Sequence, residues 1–286
     1  MESLASLLQK LYQKVKPQGF FSYVIYSVLI GLLSLVIYGG AAGYKLAVSN
    51  VTMTYAFLHS LTVDLNFVIP FIALRSISLV SFTMITKVGL STVIMLYSFL
   101  GLKEEYSFYS ITGIILMMLA AILPLMNKRE REKGSLKGYL LAFIGALAMG
   151  VNNILSKLFV ANPLATGSSG AYCFWINIYV LIFWFIIGSY CIFSPKMKQD
   201  TKDTLKEYNS KVIITIVILF TNSAISTLFN LYALKFVDLN YYTVITNCAN
   251  LIAVTFISKF FFKEKLTNLH YIAVILAVAA IILCSL

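Results

Sequence analysis

The chain has 286 residues, 60% of them hydrophobic and only 12% charged, with a mean hydropathy of +0.88. A soluble domain carries about twice that share of charge, so the composition excludes an ordinary cytosolic enzyme, a nucleic-acid-binding domain and a disordered chain. Lys and Arg outnumber Asp and Glu 22 to 11, a formal net charge of +11 whose natural place is in loops beside a bilayer.

Residues 1–18 open the chain as a separate segment. Leu4, Leu7, Leu8, Leu11, Tyr12 and Val15 recur at helical spacing, and Lys10, Lys14 and Lys16 fall largely on the other side. Two readings stand: an amphipathic helix lying on the membrane surface and ended by Pro17, or a basic tail. Beyond it come nine apolar runs, approximately 19–44, 51–74, 79–102, 108–126, 138–160, 169–194, 212–234, 239–262 and 268–285. A bilayer core of roughly 30 Å takes about 20 such residues as a helix. Their length and lack of alternation predict helices, not barrel strands. None has the pattern of a cleavable signal. The expected organisation is a first repeat of four spans over 19–126, a basic linker at 127–137, and a second repeat of five spans over 138–286.

The basic residues alternate from loop to loop. The N-terminal segment and the second, fourth, sixth and eighth connections hold 17 of them, the other connections hold Lys45, Lys103, Lys157 and Lys235, and Lys87 lies within a span. The positive-inside rule places the 17-residue side in the cytoplasm. That puts the N-terminus inside and, with nine spans, the C-terminus outside.

Residues 73–123 match 233–283 without a gap at an offset of 160, with identities at 14 of 51 positions. They include Thr83/Thr243, Thr86/Thr246, Lys103/Lys263 and Glu104/Glu264. Apolar coincidences are cheap between membrane helices; a Lys-Glu pair in register after the same span is not. Mates lie five spans apart, an odd number, so the two copies are expected in opposite orientations, the inverted repeat of secondary transporters. The span at 138–160 has no mate, which leaves the first repeat without its opening helix.

Those residues carry a family likeness. Lys263-Glu264-Lys265-Leu266-Thr267 before the last span, the weaker Lys103-Glu104-Glu105-Tyr106-Ser107 before 108–126, and Asn152-Asn153 with Ser156-Lys157 resemble the drug/metabolite transporter superfamily, EamA type. The likeness covers about residues 19–285. It implies an all-α integral membrane protein, a helical bundle in two inverted repeats (4+5 here), carrying a small organic metabolite or drug by alternating access. Family members usually have ten spans and a cytoplasmic C-terminus, and this chain departs on both counts.

Polar residues inside the spans are the candidate site. Asp64 is the one acidic residue at mid-span, and a charge there costs at least about 2.5–3.5 kcal/mol unless it faces the bundle interior or a wet cavity. Lys87 in the next span is the expected partner. The two lie 13 and 10 residues from the turn near residue 77, a mismatch of about 4.5 Å. The pair reads either as a titratable, substrate-facing element, with proton coupling as an extension, or as a structural ion pair. Lys87 maps onto Asn247 and Asp64 onto Ala224, so the second half offers amides: Asn222, Asn230, Asn247 and Asn250, with Asn152 and Asn153 earlier. Each should point inward, to bind a polar solute or to join helices. Pro70 interrupts the span of Asp64 and frees a carbonyl near Asn66, a candidate hinge or a packing feature. Trp175 and Trp184 read as belt or core aromatics in preference to substrate platforms, and Lys157 as a residue that snorkels to the interface.

Cys173, Cys191, Cys248 and Cys284 lie within spans without metal-ligand spacing, and no phosphate-binding or hydrolase motif is present. The expectation is therefore no cofactor and no metal, with a small-molecule substrate and the lipid bilayer as partners, no nucleic acid, and a homodimer left open. The location expected is a plasma or inner membrane. The alternatives to a carrier are a non-transporting scaffold or receptor and, less favoured, a membrane-embedded enzyme.

Overall fold

A computed structural model of the chain describes residues 20–74, 76–77, 79–97, 107–126, 135–194, 210–260 and 267–284. Among these residues the secondary structure is entirely helical: α1 (Phe20–Ala41), α2 (Asn50–Ala73), α3 (Leu79–Tyr97), α4 (Phe108–Ile122) with a 3-10 turn at Leu123–Met126, α5 (Leu136–Ala161), α6 (Ser169–Phe193), α7 (Ser210–Ala233), α8 (Leu239–Phe260) and α9 (Asn268–Cys284). Of these, α5 and α6 are long and apolar enough to cross a membrane unbroken, and shorter apolar stretches occur in α1, α3, α4, α7, α8 and α9. The N-terminal segment, the Lys-Glu turns at 103–104 and 263–264, and most of the basic linkers lie outside the described residues.

Local chemistry sets the helix ends. Ser107 and Ser168 sit in extended backbone and accept from the amides of Ser110 and Ala171, satisfying donors that the first turn of α4 and α6 leaves open. Before α9, the Thr267 amide donates to His270 Nδ1 and the His270 amide to the Thr267 carbonyl, a reciprocal cap. After α1, Tyr44 N bonds Gly39 O and Gly43 N bonds Gly40 O, a Schellman close in which Gly43 (φ +57°) and Tyr44 (φ +58°) are both left-handed.

Several of these features recur at a spacing of 160. The helices α2 and α7 begin at 50 and 210, α3 and α8 at 79 and 239, α4 and α9 at 108 and 268. In the turn after α2, Ser76 N and Ile77 N both donate to Ala73 O; in the turn after α7, Phe236 N and Val237 N both donate to Ala233 O. Thr86 Oγ1 donates to Phe82 O and Thr83 O, as Thr246 Oγ1 does to Tyr242 O and Thr243 O.

The chain forms two compact units. The first extends to Val68 and takes in Leu158–Tyr232; the second holds Ile69–Lys157 and the chain from Ala233 onward. In the first, α1 packs along α6 through small residues. The Cα hydrogens of Gly31 and Gly188 leave room for Leu181 and Val24, and Gly170 lies against the backbone of Tyr38, Ala41 and Ala42. In the second, α4 packs on α9 and α3 on α8. Ala120, Ala273, Ala277 and Ala280, all fully buried, bring α4 and α9 close, and Ile114, Met117, Cys248, Leu251 and Val254 complete that core.

Candidate functional site

The first unit carries Asp64 and Asn66 on α2 and Asn222 and Asn230 on α7; the second carries Lys87 on α3, Asn152 and Asn153 on α5, and Asn247 and Asn250 on α8. The two members of the expected charge pair thus belong to different units.

In the first unit one face of α2 is buried and polar. Thr52, Ala56, Ser60 and Asp64 recur every four residues, with His59 next to Ser60, and all five have almost no exposure. Ser60 Oγ and Thr62 Oγ1 turn back onto carbonyls of their own helix, those of Phe57 and His59. The two longer polar groups find partners on other segments. Trp184 Nε1, at the middle of α6, donates to Asp64 Oδ1 at 2.7 Å. His59 Nδ1 lies 2.9 Å from the Tyr172 hydroxyl, and Tyr172 stacks on Phe159 with ring centroids 3.9 Å apart and planes within 7°. Toward the start of α2, Thr52 Oγ1 donates to Thr166 O, Ser49 Oγ to Leu164 O, and Asn162 Nδ2 to the Tyr55 hydroxyl. These bonds tie the start of α2 to the α5–α6 connection. Asn66 Oδ1 is buried and has no hydrogen-bond partner among the described residues.

Trp184 read as a belt or core aromatic before a substrate platform; the structure makes it a core residue, 1% exposed, with its donor on the carboxyl. The signal available in the sequence was its place at mid-span, where a buried indole N–H needs an acceptor and Asp64 is the one acid at comparable depth. Trp175 differs: half-buried, it donates to Leu46 O beside the α1–α2 connection.

The second unit holds a polar seam where α3 and α8 pack. Thr83, Lys87 and Ser91 follow one face of α3, each under 7% exposed, and Thr243, Asn247 and Asn250 follow the facing side of α8, each at 5% or less. Asn247 Nδ2 donates to Ser91 Oγ at 2.8 Å, and Ser91 Oγ lies 2.8 Å from Lys87 O and 3.6 Å from Met117 Sδ. The amide of Asn247 is therefore held beside the turn of helix that carries Lys87, the residue it matches at the offset of 160. Asn247 Oδ1 and Thr83 Oγ1 are buried and have no hydrogen-bond partner among the described residues. Asn152 and Asn153 are half-buried, with the Asn152 carbonyl accepting from Ser156 Oγ.

Lys157 finds its partners on the connection that follows α7. It is half-buried, and its ammonium donates to Val237 O at 3.1 Å and Leu234 O at 3.4 Å, carbonyls that follow the C-terminus of α7. Carbonyls that follow a helix C-terminus, at the negative end of its dipole, attract a cation there.

Buried hydrogen-bonding groups on apolar helices can bind and release a polar solute. Among the described residues no group of three or more His, Cys, Asp and Glu side chains is placed to hold a metal ion.

A family model described as the EamA-like transporter family matches residues 136–286. No curated protein matches the sequence. Among solved structures, the crystal structure of another protein superposes on 99% of this chain and 94% of its own with a TM-score of 0.67 at 14% identity, a likeness of fold.

Proposed function

We propose that this chain, which belongs to the EamA-like transporter family, is a multi-pass secondary carrier of a small organic metabolite or drug. The proposal places nine spans in a plasma or inner membrane, arranged as two inverted repeats of four and five helices that alternate access to a central site. The observation that carries it is the recurrence, 160 residues apart, of helix starts, turn hydrogen bonds and threonine bonds in α2–α4 and α7–α9. Duplication supplies the two near-equivalent packings that alternating access needs. A scaffold has no use for buried charge, and an enzyme would need a cluster of catalytic side chains.

Asp64 and Lys87 are the coupling candidates. Both are about 94% buried in apolar helices, a placement that membrane proteins reserve for working groups. The amides Asn247 and Asn250, with Asn152 and Asn153, are the solute-binding candidates of one unit, and Asn66, Asn222 and Asn230 those of the other. Proton coupling runs through Asp64 in this reading.

The test is uptake into proteoliposomes across a panel of metabolites, with and without an imposed pH gradient. At least one solute should accumulate saturably, the gradient should drive it, and Asp64→Asn should abolish that drive. Normal transport by Asp64→Asn with unchanged pH dependence would remove the coupling role. Labelling of single cysteines at Lys103 and Lys263 should occur from opposite sides of the membrane; labelling from the same side would refute the inverted layout.

A further inference from the structure

Within the second unit, the end of α8 holds a cation over aromatic rings. Lys259 lies in the last turn of α8, where the negative end of the helix dipole favours a positive charge. Its ammonium is 5.1 Å from the ring centroid of Tyr271, in the first turn of α9, and 5.9 Å from that of Phe260, both within cation–π range. Phe260 in turn stacks on Phe256, one turn back, with centroids 6.1 Å apart and planes at 6°. All four side chains are exposed. Ring faces attract the charge of an ammonium, and its N–H donors are suited to oxygens.

The matching positions of the first copy show what is particular to this end. At the offset of 160, Lys259, Phe260 and Tyr271 correspond to Phe99, Leu100 and Ile111, and Phe256 to Leu96, all apolar residues. The connections diverge in the same sense. Lys263-Glu264-Lys265 stands where the first copy has Lys103-Glu104-Glu105; counting residues 259 and 99 as well, the formal charges are +2 and −1. The helices themselves begin at matching places, α3 with α8 and α4 with α9, so their formation does not require the difference in charge. In the inverted layout proposed above, the two ends lie in opposite leaflets. The basic one falls on the side that the distribution of Lys and Arg makes cytoplasmic, where the leaflet surface itself is negative.

We propose that Lys259, Phe260 and Tyr271 form a site for the headgroup of an anionic phospholipid in the cytoplasmic leaflet, its phosphate on the Lys259 ammonium and its acyl chains along Phe256 and Ile275. The choice of leaflet rests on the inverted layout; the site itself does not depend on what the carrier moves. Phe256 and Ile275 are exposed and lie one turn, about 6 Å, further into their helices than Phe260 and Tyr271, at the depth of acyl chains. Charge selects the lipid. A region of net +2 attracts a headgroup of net −1, whereas a choline headgroup brings a cation of its own to the same place. The rings add geometry: they hold the ammonium at the rim of an apolar surface, where a phosphate stands above its acyl chains. Tyr271 contributes a hydroxyl donor as well as a ring.

Lipid retention by the full-length protein tests this. Protein in a neutral detergent is titrated with phosphatidylglycerol or phosphatidylcholine, and the bound lipid is counted by native mass spectrometry. Phosphatidylglycerol should bind in preference. Lys259→Gln should weaken its binding about fivefold and leave phosphatidylcholine unchanged, and Lys259→Arg should restore it. Tyr271→Leu keeps the charge and removes a ring, and should cost about threefold. Lys235→Gln, which removes a charge from the connection before α8, should have no effect. Equal binding of the two lipids, or equal losses from Lys259→Gln and Lys235→Gln, overturns the site and leaves only bulk charge. Displacement of phosphatidylglycerol by millimolar inorganic phosphate overturns the lipid as its ligand in favour of a soluble phosphate. Labelling of Lys263→Cys from the outer side overturns the choice of leaflet. None of these readouts uses transport: selective lipid binding by a protein that carries no solute removes the carrier reading and keeps the site, and its absence from a protein that transports removes the site alone.

Discussion

Replacing Trp184 by Phe keeps an aromatic ring in place and deletes one N–H. That N–H donates to Asp64 Oδ1 at 2.7 Å, between side chains 1% and 6% exposed, so water has no route to replace it. Side-chain hydrogen bonds between membrane helices average about 0.6 kcal/mol in double-mutant cycles and reach about 1.7. Bonds to a charged acceptor run about 1.5–3 kcal/mol in soluble proteins. With Asp64 ionised, the Trp184–Asp64 coupling should therefore lie near the top of the membrane range, about 1.5 kcal/mol. The assay is a cycle of wild type, Trp184→Phe, Asp64→Ala and the double variant, unfolded reversibly in mixed micelles at pH 8. Asp64→Asn retains an acceptor without the charge. In its background the residual coupling should fall to about 0.6 kcal/mol, which separates the charge from the hydrogen bond. If Trp184→Phe costs the same in the Asp64→Ala background as in the wild type, within about 0.3 kcal/mol, the bond contributes nothing and Trp184 is a packing residue only.

Two further outcomes are expected. Gly170→Ala would set a methyl 2.6 Å from Ala42 N, 2.8 Å from Ala41 C and 2.9 Å from Tyr38 O. All three are backbone atoms that cannot swing aside, so the α1–α6 contact should lose about 1–3 kcal/mol, read as a lower Tm in detergent. Asn247→Val removes the donor to Ser91 and the orphaned Oδ1 together while Ser91 keeps its bond to Lys87 O. Stability should change by less than about 1 kcal/mol while solute uptake falls more than tenfold; uptake at the wild-type rate would take Asn247 out of the site.

The residues differ in how far their roles could be read in advance. Asp64 and Lys87 stand out in any listing of the chain because charge in an apolar run is costly, and both are buried. Asn247 could be matched to Lys87 through the offset of 160, but that the seam of α3 and α8 brings its amide beside that turn is decided by packing. Ser91 could not be nominated: a serine in a membrane helix bonds its own backbone as readily as a neighbour, and here it does both. For Lys157 the rule for terminal lysines weighs only the distance to water and names no partner. Its carbonyl partners after α7 lie 77 and 80 residues away in the chain. His59 and Tyr172 lie 113 residues apart with no motif between them, and only packing pairs them.

What the sequence determines by itself is local or repeated. A run of apolar residues must hydrogen-bond its own backbone, so 138–160 and 169–194 announced α5 and α6 (Leu136–Ala161 and Ser169–Phe193) to within two residues. Similar local sequence folds alike, so the starts of α3 and α8 and of α4 and α9, each 160 residues apart, were implicit in an alignment of the chain with itself. Partner choice is different. A buried polar atom takes the nearest group of opposite hydrogen-bonding character, and nearness at mid-membrane depends on which helix faces which. That is set by where glycine and alanine let backbones approach, at Gly31, Gly170 and the alanines of α9. Only the tertiary structure could therefore give Asp64 the indole of Trp184, and Lys157 the carbonyls of Leu234 and Val237.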